Sequence, residues 1–425
     1  MSSAFGYARG TIQWLAADGI NTTYQVSSCG GTPKMLRVMA LGIGSASDAA
    51  SQTASALKGG GFASSASDRR CVAARSLDAA AAADTQSVWW LAVAILSVLG
   101  SGGEGRLDVS AFAADGFTLI VDAVVGADIT VLWEAWWGDD ITVNQVGDVS
   151  EPSGTGSVDY SGNVPGFVST DTDDQVLMFF GVDSALTSGT IESGRSSGFM
   201  VGFASGGATA ENVVVAGASQ DAAATMLTRG YCKTGECLAM MTSGNPTARA
   251  TCTRFITDGF TLNWIARALT NRRYIFAGLK GGNWRAGALT IDGSAGGATA
   301  SLAGLSWAPV GLSLIGRGSV EQSAGVSDNN DRLAVGGGTS VAARQTLAVL
   351  DENGTADAEI DTAVEYDQAL AYVNASGSTA SKYDIDAMGA AGFTLINDLA
   401  GGVASEWIGY LAFAAQLRKF ILVPQ

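Results

Sequence analysis

The chain has 425 residues, 47% of them hydrophobic, so it is long enough to form several packed domains and too apolar to be disordered. Its 24 basic and 40 acidic residues give a net charge of −16, which repels nucleic acids and anionic membranes. The absence of histidine removes the commonest general base and the commonest metal ligand, and this strongly disfavours an enzyme.

The N-terminus lacks the basic and apolar regions of a signal peptide. The most apolar run, residues 88–99, is shorter than the roughly 20 residues that a membrane-spanning helix needs. We therefore expect neither a membrane partner nor export through an N-terminal signal.

A short motif, Gly-Phe-Thr-Leu, occurs three times along the chain, at residues 116–119, 259–262 and 392–395. A second apolar run follows each copy, at residues 131–138, 274–281 and 408–415. A small residue, a strand, a short polar connection and a second strand predict a β-hairpin that closes each of three repeated units. The glycines are predicted to make the turn and the phenylalanines to fill the core; these residues are Gly116, Phe117, Gly259, Phe260, Gly392 and Phe393.

Other features recur at nearly constant distances from the motif. Each unit has an opening strand near Gly10, Gly147 or Gly287 and an apolar strand that ends at Gly42, Gly181 or Gly316. The units are therefore predicted to cover residues 1–140, 141–283 and 284–416, followed by a C-terminal arm at 417–425. This period is far longer than that of a solenoid or a propeller blade, so each unit is expected to be a domain.

The pattern within a unit is that of an all-β protein. In the second unit, Phe260, Leu262 and Trp264 alternate with more polar residues, as in a strand with one buried face. Short runs of this kind, separated by Gly, Ser and Asp turns, predict three tandem antiparallel β-sandwich domains of jelly-roll-like form. The only candidate helix covers residues 76–86.

The first unit differs from the others by its tryptophans. Two apolar runs, residues 88–96 and 131–137, hold five of the ten in the chain; they are Trp89, Trp90, Trp133, Trp136 and Trp137. The first run is apolar on both faces, so it must meet more than its own sheet. Three interpretations remain open, namely anchors of a subunit interface, a sugar-binding platform beside Glu134, Asp139 and Asp140, and large core residues. We favour the interface.

The C-terminal arm is apolar and includes Phe420 and Ile421. Two interpretations compete, an arm or strand added to another subunit and a strand that folds back onto its own domain.

Metal and disulfide chemistry is not predicted. The five cysteines are odd in number and sparse, so free buried thiols are favoured over a disulfide or a metal site. The acidic clusters at residues 171–174 and 328–331 lack the spacing of a calcium loop and are interpreted as solvated turns. No cofactor is expected.

The repeated motif, together with the aromatic-aliphatic runs at residues 274–281 and 410–413, resembles uncharacterised virion proteins of tailed bacteriophages. The resemblance implies a β-rich, repetitive component of the particle surface, such as a tail or neck appendage, a fibre or a capsid decoration. It would be made in the host cytoplasm, and its partners would be copies of itself and other virion proteins. It assigns no catalytic residues.

The leading hypothesis is therefore a non-enzymatic structural virion protein that assembles as a homo-oligomer through its first domain. A receptor- or glycan-binding module at the tip of an appendage is the alternative. A cell-surface protein of the S-layer type is a further one, although it should carry an export signal. A histidine-free polysaccharide hydrolase is the least favoured.

Overall fold

A computed structural model describes residues 5–42, 44–45, 47–53, 55–77, 85–100, 103–169, 174–185, 187–193, 196–206, 210–219, 228–242, 244–268, 272–351, 360–374 and 376–415. Across these ranges the chain forms strands and irregular connections and no helix, so the all-β prediction is confirmed. Of the candidate helix at 76–86, residues 76 and 77 belong to a strand and residues 78–84 lie outside the described ranges.

Within the ranges given above, each unit contributes eleven strands. The first unit has β1 (Gly6–Trp14), β2 (Thr23–Val26), β3 (Pro33–Leu41), β4 (Ala49–Thr53), β5 (Ser55–Ala63), β6 (Arg69–Leu77), β7 (Gln86–Leu91), β8 (Leu96–Gly100), β9 (Gly103–Ala113), β10 (Gly116–Ala123) and β11 (Ile129–Trp137). The second has β12 (Val143–Ser150), β13 (Gly156–Ser161), β14 (Gln175–Val182), β15 (Glu192–Ser193), β16 (Phe199–Ser205), β17 (Glu211–Ser219), β18 (Thr228–Thr234), β19 (Leu238–Met240), β20 (Ala248–Ile256), β21 (Gly259–Ala266) and β22 (Arg273–Lys280). The third has β23 (Asn283–Ile291), β24 (Thr299–Leu302), β25 (Gly311–Gly316), β26 (Asp328–Asn329), β27 (Asp331–Ser340), β28 (Ala343–Asp351), β29 (Ile360–Glu365), β30 (Leu370–Val373), β31 (Thr379–Gly389), β32 (Gly392–Leu399) and β33 (Glu406–Ala414).

The predicted limits of the units lie close to these groupings. The limit at 140/141 falls in the connection between β11 and β12, and the limit at 283/284 falls at the first residues of β23. The predicted arm at 417–425, with Phe420 and Ile421, lies outside the described residues.

The strands of each unit form one large and one small antiparallel sheet in the same order. In the first unit the large sheet runs β1-β11-β3-β5-β6-β7 and the small sheet β2-β10-β9-β8. The second unit repeats this order as β12-β22-β14-β16-β17-β18 and β13-β21-β20-β19, and the third as β23-β33-β25-β27-β28-β29 and β24-β32-β31-β30. Each small sheet packs against its large sheet across an apolar core, as where Phe117 of β10 meets Trp133 of β11 with ring centroids 5.3 Å apart.

Each large sheet receives a seventh strand from another unit. Strand β15 of the second unit pairs with β7, β26 of the third unit pairs with β18, and β4 of the first unit pairs with β29. The donor strand occupies the same place along the chain in each unit. It connects the two strands that are third and fourth in the order of the large sheet. Because each unit both donates and receives a strand, the exchange closes into a ring of three.

The large sheets are buried on both faces. The face turned away from the small sheet enters one central core that all three units share, with Trp136, Phe180 and Phe413 among its members. Strands β11, β14 and β33 are consequently buried at every position. A strand buried on both faces must meet more than its own sheet, and for these three strands the second partner is the rest of the chain.

The predicted closing hairpin is wrong in its pairing. Strand β10 lies in the small sheet between β2 and β9, whereas β11 lies in the large sheet between β1 and β3. The motif therefore forms a hairpin with the strand before it, and the run after it crosses to the other sheet. The phenylalanines do fill the cores, since Phe117, Phe260 and Phe393 are all buried.

The apolar run at 88–96 is two strands and not one. Strand β7 belongs to the large sheet and β8 to the small sheet, and the chain changes sheets at Ala92, which has φ 53°. A left-handed residue between two apolar runs leaves little trace in the hydrophobic pattern, so the sequence reads as continuous.

Candidate functional site

Two clusters of buried polar and charged side chains lie where the units meet. The first cluster centres on Glu134 of β11, which is fully buried. Its carboxylate is in contact with the guanidinium of Arg37 on β3, the residue opposite it in the sheet. Tyr7 Oη donates to Glu134 Oε1 at 2.6 Å, and Ser313 Oγ of the third unit donates to the same oxygen at 2.7 Å. The first and third units are thus joined through one carboxylate.

Electrostatics keeps this carboxylate charged. Burial by itself would raise the pKa of Glu134, but Arg37, Arg9 and the two hydroxyl donors lower it below the usual range of a glutamate. Burial raises the pKa of Tyr7 well above its usual value, and the neighbouring Glu134 adds to the rise, so the phenol stays a donor.

Arg37 also contacts the second unit. Its guanidinium lies 5.8 Å from the ring centre of Trp136 and 5.2 Å from that of Phe203, which belongs to β16. Its Nη2 donates to Ser313 Oγ at 2.9 Å. One arginine side chain therefore touches all three units, through a carboxylate, a hydroxyl group and two aromatic faces.

A second cluster joins all three units through five fully buried side chains. The ammonium of Lys58 on β5 contacts Asp331 Oδ2 on β27. Asp351 on β28 lies directly opposite Asp331, and its Oδ2 accepts from Ser76 of β6 and Ser219 of β17. We call Lys58, Ser76, Ser219, Asp331 and Asp351 the junction centre.

Strand exchange brings further polar bonds to each seam. At the seam of the first and second units, Gly189 N donates to Trp89 O at 2.8 Å and Leu91 N to Ser188 Oγ at 2.9 Å. At the seam of the second and third, Arg229 Nη1 donates to Asn329 Oδ1 at 2.7 Å.

The third seam is closed by Arg9 of β1. Its Nη2 donates to Gln345 O at 2.9 Å and its Nε to Gln345 Oε1 at 3.1 Å. All three seams therefore combine apolar burial with directional bonds.

The five tryptophans of the first unit divide between two kinds of position. Trp89 and Trp136 lie in the central core, where they join the units. Trp133 and Trp137 lie in the core of the first unit itself. Trp90 is partly buried, donates from Nε1 to Glu104 at 2.5 Å and lies under the guanidinium of Arg106.

The chain itself thus covers four of these rings, so the interface that Trp89 and Trp136 serve is one between units of a single chain. Because Glu134 is fully buried in the first cluster, it cannot form a surface platform for a sugar with the neighbouring tryptophans.

One position of the repeat carries three different chemistries. The three units can be aligned on Gly10, Gly147 and Gly287, because each of these glycines lies opposite an aromatic residue on the neighbouring strand. In this alignment three residues are equivalent, namely Ile129 at the start of β11, Arg272 just before β22 and Glu406 at the start of β33. Ile129 pairs with Trp14, and Arg272 lies 2.5 Å from Asp183 and 3.7 Å from Glu151.

Glu406 in the third unit is an acidic residue, and the residue opposite it in the sheet is Ile291. Ser381 Oγ donates to the carboxylate of Glu406 over long distances, 3.4 Å to Oε1 and 3.5 Å to Oε2. Burial raises the pKa of Glu406 to about 7, although Arg332 and Ser381 act in the opposite direction.

The cysteines and acidic clusters can be compared with their predictions. All five cysteines are buried free thiols, as predicted. The interpretation of residues 328–331 as a solvated turn is wrong for Asp331, which is fully buried in the junction centre. Residues 170–173 lie outside the described ranges.

A group of carboxylates that could approach a cation is formed by Asp48, Glu365 and Asp367. Glu365 Oε2 already accepts from Lys382 Nζ at 2.8 Å, and Asp48 Oδ1 accepts from the amide of Tyr366 at 2.7 Å. These bonds account for two of the three carboxylates without a metal.

A shallow depression of about 300 Å³ opens at the seam of the second and third units. Its floor is built from small residues of β23, and its polar lining includes Asn212, Tyr410 and the ion pair of Glu211 with Arg285, whose Oε2 and Nε atoms lie 2.5 Å apart. Asn212 is turned inward, because its amide bonds the backbone of Cys252.

No known family model matches the chain, and no curated protein is significantly similar to it. In the part of the chain that the structure describes, there is no helix with the length and apolar character to cross a membrane.

Sequence reasoning missed the residues that join the units. A signal for them was present, since Lys58 and Glu134 are the single charges of β5 and β11, and Arg37 lies among apolar residues of β3. A charge in such a place is stable only when it is paired in the folded protein. The sequence does not show which charge meets which.

Proposed function

We propose that this chain is a non-enzymatic structural protein of a tailed-phage virion, acting in a tail or neck appendage, a fibre or a capsid decoration. Its proposed partners are other virion proteins and further copies of itself. The observation that carries the proposal is the closed exchange of strands among three equivalent units. Two buried polar clusters, the one centred on Glu134 and the junction centre, also hold the units together.

This construction favours a mechanical role. Each unit places an apolar sheet face, a donated strand and buried charges at its seams, so separating the units would expose all of them to water. A body of this kind resists local opening, which a component of a particle surface needs. Shape and stiffness are then the properties that function depends on.

We further propose that each unit is a β-sandwich. The apolar core between its large and small sheets supports this. The connectivity favours paired meanders over a jelly roll, because β5, β6 and β7 are consecutive neighbours in one sheet and β8, β9 and β10 in the other.

The proposal is tested on purified particles. We expect peptides of this chain to be present by mass spectrometry in stoichiometric amounts and to remain through density-gradient and high-salt washing. An abundant cytoplasmic host protein serves as the control for contamination. If the chain stayed in the soluble fraction while known capsid proteins sedimented, the virion role would be refuted.

The seam depression favours one second candidate, a glycan- or receptor-binding module. Tyr410 and the pair of Glu211 with Arg285 offer hydroxyl, carboxylate and guanidinium groups at one surface depression. Binding in a glycan array that is lost in Arg285→Ala, while the variant keeps its unfolding midpoint, would support this role. An array without signal from the unmodified protein would rule it out for the sugars tested.

A further inference from the structure

The junction centre contains two carboxylates that face each other at close range. Asp331 and Asp351 are direct register partners on the antiparallel strands β27 and β28. Like charges directly opposite in such a pair destabilise the sheet even at a surface. Here both side chains are fully buried, where water cannot screen their repulsion.

The two aspartates are not equally compensated. The Lys58 ammonium contacts Asp331, whereas the hydrogen bonds of Asp351 come from the hydroxyl groups of Ser76 and Ser219 on its Oδ2. Neither Asp331 Oδ1 nor Asp351 Oδ1 has a hydrogen-bond partner within the described residues. A carboxylate that has hydroxyl donors and is buried opposite another carboxylate holds a proton more tightly than a solvated aspartate does.

The charged groups around Asp351 come from several elements. Asp331 faces it from β27 and Lys58 from β5, while β6 and β17 present only serine hydroxyls. Arg317 lies over Gly230 and donates to the carbonyl oxygens of Asn329 and Asn330. Asp361 on β29 lies opposite Leu350, which faces the separate core of the third unit.

We propose that Asp351 is a proton-binding site at the contact of the three units, so that protonation tightens their packing and deprotonation loosens it. The site is suited to this coupling because its groups come from every unit: Lys58 and Ser76 from the first, Ser219 from the second, and Asp331 and Asp351 from the third. Charge on Asp351 therefore acts on a three-way contact. The inference does not depend on the proposed role in a virion.

The direction of the pH dependence follows from the pKa. Burial, followed by repulsion from Asp331, raises the pKa of Asp351 from 3.8 to about 6. Between these two values the folded chain binds the proton more tightly than the unfolded chain does. The contribution of this group to stability is therefore greatest below about pH 4, falls as the pH rises towards 6 and is constant above that. The difference corresponds to roughly a 100-fold change in the folding equilibrium constant.

The experiment is urea unfolding of the full chain from pH 4 to pH 8, comparing the unmodified protein with Asp351→Asn. Asparagine resembles the neutral acid in shape and cannot ionise. We expect the ratio of the two unfolding constants to change in favour of the variant by roughly 100-fold between pH 4 and pH 8. A ratio that is constant over this range would overturn the proposal.

Ser219→Ala provides a second test if Asp351→Asn does not fold. Loss of a donor to the ionised form should move the pH midpoint upward, and an unchanged or lower midpoint would contradict the proposal. Asp384→Asn is the matched control, because the pKa of Asp384 is also raised to about 6 by burial, but its partner Arg344 belongs to the same unit.

Hydrogen exchange locates the effect. After correction for intrinsic rates, amides of β6 and β17 in the first and second units should exchange faster at pH 8 than at pH 5 in the unmodified protein, and this difference should disappear in Asp351→Asn but persist in Asp384→Asn. A pH response that is confined to the third unit, or that Asp384→Asn abolishes, would show that Asp351 does not control the contact.

Discussion

At the scale of single residues, the interior of this protein depends on charges placed within apolar strands. Glu134 is the clearest case, since it is fully buried and bonds Arg37, Tyr7 and Ser313. Exposed charges have a different role. Arg254 and Asp159 lie 3.6 Å apart with about half of each side chain in water, where such a pair contributes little.

Replacing Glu134 by alanine should therefore destabilise the protein strongly. The change leaves Arg37 buried without its carboxylate, and we expect a loss of about 3–5 kcal/mol in the free energy of unfolding, measured in urea at pH 7. Asp159→Ala is the control and should cost less than about 1 kcal/mol. Equal losses in the two variants would refute the structural role of the Glu134 cluster.

Glu406 leads to a prediction of the opposite sign. Because burial raises its pKa from 4.5 to about 7, the folded state loses stability as the pH rises through this interval. Glu406→Gln should remove that loss and stabilise the chain at pH 8 by up to about 3 kcal/mol, with no gain below pH 4.5. Unfolding curves at pH 4 and pH 8 measure the difference.

Glu321→Gln is a suitable comparison for Glu406→Gln. Its bonds with Thr234 and Lys233 lower the pKa of Glu321 in spite of partial burial. The substitution should therefore weaken the protein slightly at pH 8. A gain in stability at pH 8 in both variants would point to a general effect of the net negative charge.

At the scale of elements, the repeated glycine is needed because another strand approaches it closely, and not because it makes the predicted turn. The turn is formed by the two residues before it, and Asp258 takes the left-handed conformation with φ 58°. The glycine begins the next strand, where the backbone of a third strand approaches it closely. An added Cβ would lie 1.8 Å from Val26 O at Gly116 and 1.9 Å from Leu302 O at Gly392.

Gly392→Ala should for this reason disturb the pairing of β24 with β32. The carbonyl belongs to the backbone and cannot turn aside, so we expect a loss of about 2 kcal/mol or more in thermal or urea unfolding. Gly154→Ala is the matched control, because an added Cβ there meets nothing within 4 Å. Its effect should be close to zero. A similar small effect at Gly392 would show that the strand can shift to admit the methyl group.

At the scale of the whole molecule, three units that would each be incomplete become complete together. The second unit alone would leave the central face of β14, with Val176, Met178 and Phe180, in water, and β18 would lose the strand that β26 supplies. Closure of the ring removes both problems at once. We therefore expect the three units to unfold together and not as independent domains.

Cutting the chain at 140/141 should not separate its parts. We expect fragments 1–140 and 141–425, produced together, to purify as a 1:1 complex of the original size, measured by light scattering after size exclusion. Fragment 141–283 produced alone should aggregate or self-associate. A soluble, monomeric and cooperatively folded second unit would refute the view that the units depend on one another.

The sequence by itself determined the class of fold and the repeat. The all-β pattern, the repeated strands and the buried phenylalanines at 117, 260 and 393 follow from hydrophobic periodicity, which is local and survives in each copy. The predicted limits of the units rest on the same recurrence. The cysteines could also be interpreted correctly, because their number and sparse spacing already argued against pairing.

Only the tertiary structure decided which surfaces the apolar faces meet. A strand buried on both faces looks the same whether its second partner is another chain or another part of its own, so the tryptophans of the first unit could not be assigned from sequence. Arg37 pairs with Glu134, which is far from it in the sequence. Asp331 pairs with Asp351 on a neighbouring strand, and the register of the two strands is set by the whole sheet. Exchange strands as short as β15 and β26 carry no periodic signal at all. The closed ring therefore arises from long-range contacts, and these contacts determine where the charges of the interior meet.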